Sequence, residues 1–245
     1  MNVEATSEEV IWHDVECGAY GADLPLWSEL AAGANGPLLE LGCGTGRVTM
    51  HLARRDFRVT AIDDSEELTG ELRQRATDAA VNVRVEAVDA SAFDLGKRFG
   101  LVIAPMQLIQ LLDGPVARGR CLRAAAAHLT PGGRFALAIV EDPPIGIPES
   151  PRLPDVREID GWIYSSLPLG VRIEDDSLIV ERLRQTVAPD GGLDETQSSD
   201  RLRLIHAGGL EAEAREAGLT PVKRRVVQPT EAHIGSTVVV LEALA

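Results

Sequence analysis

Gly42, Gly44 and Gly46 alternate with Cys43 and Thr45 in the stretch ELGCGTGRV, between Glu40 upstream and Arg47 downstream. Only a residue without Cβ lets the backbone come unusually close to a neighbour or turn with positive φ. The stretch therefore reads as a ligand-contacting turn, although a tight strand-to-helix connection without a ligand uses the same residues. Its spacing weighs against two ligand classes. The dinucleotide pattern G-x-G-x-x-G would put a third glycine at position 47, where arginine stands. The phosphate cradle that ends in G-K-[ST] is missing too. Glu40 points the same way, because a pyrophosphate held at a helix N-terminus gains nothing from a nearby anion. A ligand that carries an ammonium and a sulfonium does gain from that carboxylate. S-adenosylmethionine carries both.

Alternating elements must position that turn. "PLLELG" reads as a buried strand and "GRVTMHLARR" has helical apolar spacing. Strand "FRVTAID", helix "SEELTGELRQRATDAA", strands "NVRVEAVD" and "GLVIAP", helix "PVARGRCLRAAAAHL" and strand "RFALAIVE" follow. Strands alternating with helices of this length imply right-handed crossovers and a mostly parallel sheet covered on both faces. This is a doubly wound α/β fold. Ligands of such sheets bind beyond the carboxyl ends of the strands, which is where the glycine turn falls.

After Glu141 the pattern changes. "DPPIGIPESPRLPD" holds five prolines and reads as an extended connection. "GWIYSSL", "SLIVERLRQTV" and "SDRLRLIH" read as antiparallel strands. "GLEAEAREAG" reads as a helix that Gly218 stops, and "PVKRRVVQ" and "STVVVLEAL" as closing strands. The expected organisation is one domain over 1–245, with an N-terminal lid segment at 1–35 and an inserted antiparallel cap at 142–207.

Composition bounds the partners. A chain of 245 residues can bury roughly 70–75% of its unfolded surface. The formal charge of −14, from 38 acids against 24 bases, disfavours nucleic acid, whose binding leans on Lys and Arg. No apolar run reaches the roughly 18 residues of a membrane span. The acidic start "MNVEATSEEVIWHD" lacks the features of a secretion signal, which argues for the cytoplasm. Cys17, Cys43 and Cys121 form no C-x-x-C pair, and the five histidines show no ligand spacing, so no metal is implied.

"LLELGCGTGRVT" resembles the E-x-G-x-G-x-G signature of class I S-adenosylmethionine-dependent methyltransferases. "VTAIDDS", "VEAVDAS", "FGLVIAPMQLIQLL" and "HLTPGGRFALAI" resemble that family's later motifs in order, and "YGADLPLWSELA" resembles its start. The resemblance covers about residues 10–141 strongly and the C-terminal strands more loosely. It implies a Rossmann-like, seven-stranded, mostly parallel sheet with an antiparallel last strand, and S-adenosylmethionine as cofactor. It places Glu40, Gly42, Cys43, Gly44, Thr45 and Gly46 around the methionine part. Asp63 would accept from the ribose hydroxyls. Its neighbour Asp64 reads as a helix cap, paired with Glu67 three residues on. Asp89 and the Ala90 N–H would meet the adenine, and Ala104 and Met106 the ligand's centre.

One departure narrows the acceptor. Enzymes that methylate amino groups of DNA bases or protein glutamines resemble one another in a D/N-P-P-Y motif after strand four, and here the stretch is "APMQ". A small-molecule acceptor, methylated on O or N by in-line displacement, is the reading that remains. The alternative is a non-catalytic S-adenosylmethionine-binding protein or regulatory subunit. Gly100 stands where the family often has an acid. Trp162, Tyr164 and Glu141 are expected acceptor-pocket residues, with Trp162 and Tyr164 equally explained as core of the inserted strands. That insertion is expected either to cap the acceptor site or to pair a monomer into a homodimer. If the acceptor must lose a proton, His233 is the first choice of base and His13 the second, because topology puts His128 at the far end of the sheet.

Overall fold

The computed structural model describes residues 6–147, 153–230 and 233–244. Positions 148–152 of the proline-rich connection, and Glu231 and Ala232 of the "QPTEAHIGS" turn, lie outside the described residues. The chain divides into two compact units, Gly21–Glu141 with Ile205–Ala245, and Met1–Tyr20 with Asp142–Leu204. Among the described residues no helix is long and apolar enough to cross a membrane.

The first helix, α1 (Glu8–Cys17), belongs to the smaller unit, and α2 (Leu24–Ala32) opens the larger one. The larger unit continues through β1 (Leu38–Leu41), α3 (Arg47–Ala53), β2 (Val59–Asp63), α4 (Glu66–Asp78) and β3 (Val83–Ala87). Then come β4 (Phe99–Ala104), the single turn α5 (Leu108–Leu111), α6 (Gly114–Ala127) and β5 (Leu129–Ile139). The smaller unit holds β6 (Asp155–Ile159), β7 (Trp162–Glu174), β8 (Ser177–Val187) and β9 (Leu193–Arg203). The chain returns to the larger unit with α7 (Ala207–Glu216), β10 (Leu219–Pro221), β11 (Arg225–Val227) and β12 (Ser236–Ala243).

Strand order in the larger sheet is β10-β12-β5-β4-β1-β2-β3, and β11 also pairs with β12. The pairs β4–β1–β2–β3 and β4–β5 are parallel, whereas β12 runs antiparallel to β5. The expected doubly wound, mostly parallel sheet with an antiparallel last strand is the observed one. Every residue of β1 and β4 is buried, as strands with both faces covered must be. Because β1 has β2 on one side and β4 on the other, strand order reverses there, and sheets of this kind bind ligands beyond the carboxyl ends of the strands at such a point.

Some local expectations change. "PVKRRVVQ" is two short strands, β10 and β11. Pro221 faces Leu241 and Arg225 faces Val238, four steps against three, so one residue bulges out. The cap of α4 is Ser65, whose hydroxyl accepts the Leu68 N–H at 3.2 Å, so Asp64 does not fill that role. Gly100 has a packing cause. A Cβ there would lie 2.5 Å from the Asn35 carbonyl oxygen, and β4 shifts register against β5 at this point.

In the smaller unit, β6-β7-β8-β9 form an antiparallel sheet. The helix α1 packs on it. Trp12 meets Tyr164 edge-to-face at 5.6 Å, and Glu16 takes a two-pronged ion pair from Arg184 at 2.8 and 2.9 Å. Burial alone would raise the Glu16 carboxyl, but Arg184 and Arg182 outweigh it and hold the group below its ordinary range.

Candidate cofactor site

The turn from β1 into α3 is built by backbone conformations that favour glycine. Gly42, Gly44 and Gly46 have φ of 65°, 52° and 94°. A Cβ on Gly42 would come within 2.8 Å of Leu108 Cδ1, and one on Gly46 within 2.2 Å of Leu72 Cδ1. The Cys43 N–H donates to the Ile62 carbonyl at 3.0 Å, which extends the β1–β2 pairing into the turn. Gly46 then caps α3, its carbonyl accepting from the Met50 N–H at 2.8 Å. Cys43 and Thr45 are buried, and burial pushes the Cys43 thiol well above its ordinary range, which leaves no thiolate nucleophile.

Three carboxylates surround this turn. Asp63, at the end of β2, accepts the Gly44 N–H at 2.8 Å on one oxygen and the Ser65 N–H at 3.1 Å on the other. Glu40 lies beneath the turn, 2% exposed, and accepts from the Thr49 hydroxyl. Burial pushes its carboxyl up to about 8 against the opposing pull of Thr49 and Arg47. A cation brought close would favour the ionised form. Asp23 is the third. Arg47 forks onto it at 2.6 and 2.8 Å, and the Trp27 indole N–H donates to it at 2.8 Å. Sequence reasoning missed Asp23, although the stretch "YGADLPLWSELA" contained it. The signal was an acid paired with an arginine where a dinucleotide turn would need glycine.

The remaining expected positions lie at the carboxyl ends of β2, β3 and β4. Asp89 follows β3, and both its oxygens accept from Ser91, the backbone N–H at 2.7 Å and the hydroxyl at 2.8 Å. Ala90 beside it is buried, Asp64 is exposed, and Ala104 closes β4 fully buried. Met106 and Gln107 then take φ of 49° and 61°, two successive left-handed residues that are not glycine.

The family model for a methyltransferase domain matches residues 38–133. A ubiquinone biosynthesis O-methyltransferase of Xanthomonas axonopodis is 32% identical over 113 residues, 45% of this chain and 46% of that protein. The chain thus spans about half the length of the curated relatives it matches. The glycopeptide N-methyltransferase MtfA, solved with S-adenosyl-L-homocysteine, is 25% identical, with a TM-score of 0.61 and coverage of 91% of this chain and 87% of that one. DesVI of Streptomyces venezuelae shares the fold at 20% identity, with a TM-score of 0.73 over 98% of this chain and 100% of its own. Residues 38–133 thus carry a methyltransferase domain.

In the larger unit, β12 runs antiparallel to β5 with Thr237 facing Ile139, so the turn before β12 falls beyond the carboxyl end of β5. His233 sits in that turn, its N–H donating to the Thr230 hydroxyl at 3.0 Å. Glu141 follows β5 and its carboxylate accepts the Ala207 N–H at 2.8 Å, at the start of α7. Burial would raise that carboxyl, but the Ala207 N–H and the Thr237 hydroxyl hold it below its ordinary range. His206 is 70% exposed, with Nδ1 3.9 Å from Glu141. His128 lies at the opposite end of the strands, where Nε2 accepts the Leu95 N–H at 2.9 Å. Its proton is therefore on Nδ1, facing the Ala124 carbonyl at 2.7 Å. His51 meets the Ser28 hydroxyl at 2.8 Å. His13, Trp162 and Tyr164 belong to the smaller unit. Tyr164 is packed on Trp12, and Trp162 is 41% exposed.

Proposed function

We propose that the chain binds S-adenosylmethionine at the Gly42–Gly46 turn and transfers its methyl group to a hydroxyl or amine of a small molecule. The observation that carries this reading is the left-handed glycine turn, hung between Asp63 on one side and the buried acid Glu40 beneath it. The residues fit the group. Asp63 holds the glycine turn through the Gly44 N–H and stands at the carboxyl end of β2, where a carboxylate would accept from ribose hydroxyls. Asp89 and Ala90 stand where the resemblance puts adenine, and Ala104 and Met106 where it puts the sulfur end.

When bound, the sulfonium supplies an already activated methyl electrophile. That chemistry would be displacement at the methyl carbon, the acceptor's lone pair gaining the bond that a neutral thioether would give up. The chain's part is alignment, and held near-attack geometry can supply roughly 7–11 kcal/mol of a barrier. Where the acceptor also loses a proton, His233 is the proposed base and His13 the second choice. The likeness to an O-methyltransferase of ubiquinone biosynthesis and to a glycopeptide N-methyltransferase supports an oxygen or nitrogen acceptor. The "APMQ" stretch and the net charge of −14 support a small molecule over nucleic acid.

Isothermal titration with S-adenosylmethionine, NAD and NADP tests the donor. Uptake of a nicotinamide cofactor alone overturns the reading. A panel of hydroxyl- and amine-bearing small molecules, followed by release of S-adenosylhomocysteine, then tests transfer. Donor binding with no turnover on any of them would favour a non-catalytic binding protein. With an acceptor in hand, His233→Ala should lower kcat and leave donor affinity unchanged.

A further inference from the structure

The single turn α5 is too short to hold itself together, since one turn of isolated helix is unstable in water. It nevertheless follows two left-handed residues, Met106 and Gln107, a conformation that surrounding structure must impose. Gln110 imposes it. The residue is wholly buried, and its amide closes on both backbone groups of Val140. The Val140 N–H donates to Oε1 at 2.7 Å, and Nε2 donates to the Val140 carbonyl at 3.0 Å. Val140 is the first residue past β5, so a side chain from the β4 crossover stands in for a strand neighbour. Gln107 closes the other end, its carbonyl accepting the Gln110 N–H at 2.8 Å. Leu108, next in line, is the side chain that fills the space a Cβ on Gly42 would need. One amide therefore ties together the glycine turn, the left-handed turn after β4 and the exit of β5.

We propose that Gln110 is a positioning residue for methyl transfer, holding the Met106–Gln107 turn and the Leu108–Gly42 contact so that the methyl-bearing end of the donor is fixed. This rests on the donor reading above. The side chain touches no reacting atom. Its effect falls on the sulfonium end, because Asp63 and Asp89 lie on the far side of the glycine turn, after β2 and β3. A packing role alone would weaken binding of the whole nucleoside.

The test uses the full chain with [methyl-13C]S-adenosylmethionine, and reads the bound methyl resonance beside the affinity for S-adenosylhomocysteine, which has no such methyl. The wild type should show one narrow bound-methyl signal. Gln110→Leu should broaden or displace it while changing S-adenosylhomocysteine affinity less than about threefold. Gln110→Glu keeps an acceptor for the Val140 N–H but loses the donor. It should displace the signal by a smaller amount, and it carries the test if Gln110→Leu does not fold. Variant signals superimposable on the wild type overturn the proposal, and so does loss of S-adenosylhomocysteine affinity in step with the signal. A wild type that binds neither compound overturns the donor reading itself and this inference with it.

Discussion

Asp63 meets two demands at once. It accepts one backbone N–H from the glycine turn and one from the start of α4, so it fixes both while standing at the carboxyl end of β2. Asp63→Ala should therefore weaken S-adenosylmethionine binding by about 1–3 kcal/mol. Asp64→Ala, at an exposed position beside a cap that Ser65 already fills, should leave affinity and melting temperature unchanged. Equal losses in a titration calorimeter would contradict the roles assigned to the pair. Glu40 makes a prediction in pH. Its carboxyl holds its proton to about 8 in the folded chain, against 4.5 as the ordinary value. Below 4.5 both states are protonated. As pH rises from there to about 8 the unfolded chain ionises first, so stability falls across that window and the loss is complete above it. Glu40→Gln has no proton to give up. The melting temperature of the variant relative to the wild type should thus rise between pH 5 and pH 8, and a constant difference would reject the buried-acid account.

The helices and strands explain why two glycines with similar crowding should behave differently. Gly46 begins α3 at φ 94° with Leu72 against it, at the ligand end of the sheet. Gly100 lies early in β4, at the other end, with the Asn35 carbonyl against it. Either one changed to alanine should cost about 1–3 kcal/mol of stability, by strain at Gly46 and by overpacking at Gly100. Only Gly46→Ala should also lose S-adenosylmethionine affinity, since Gly100 lies away from the carboxyl ends of the strands. Thermal melts beside titrations separate the two, and an affinity loss at Gly100 would mean the elements are coupled more tightly than their packing implies. The same scale explains the bulge between β10 and β11. The extra residue lets Arg224 reach Glu211 of α7 at 2.7 Å while Arg225 regains register on β12.

In the molecule as a whole, the glycine turn, the carboxylates around it and His233 all lie in the larger of the two compact units. A ligand that binds only the folded state stabilises it by mass action, about 2.7 kcal/mol at a hundredfold excess over Kd. For a chain of this size that corresponds to a rise of roughly 5–11 °C in melting temperature. S-adenosylmethionine and S-adenosylhomocysteine should both produce it, and NAD should not. Scanning calorimetry checks this, and no shift with either sulfur compound would remove the cofactor assignment.

Local pattern by itself determined the alternation of strands and helices, the glycine turn at the end of β1 and the acid at the end of β2. Each is written in neighbouring residues: buried runs for parallel strands, glycines for positive φ, a carboxylate at a strand's end. It also stopped α7 at Gly218, which adopts φ 82°. The tertiary structure alone decided what depends on residues distant in the chain. Arg47 finds Asp23, 24 positions away, and Gln110 finds Val140, 30 away. Gly100 makes room for Asn35, and α1 packs with strands more than a hundred residues later, Glu16 reaching Arg184. No periodicity encodes such pairs, because side chains that meet only after the sheet has twisted and closed carry no fixed spacing in sequence. Those distant pairs determine how the legible motifs are held.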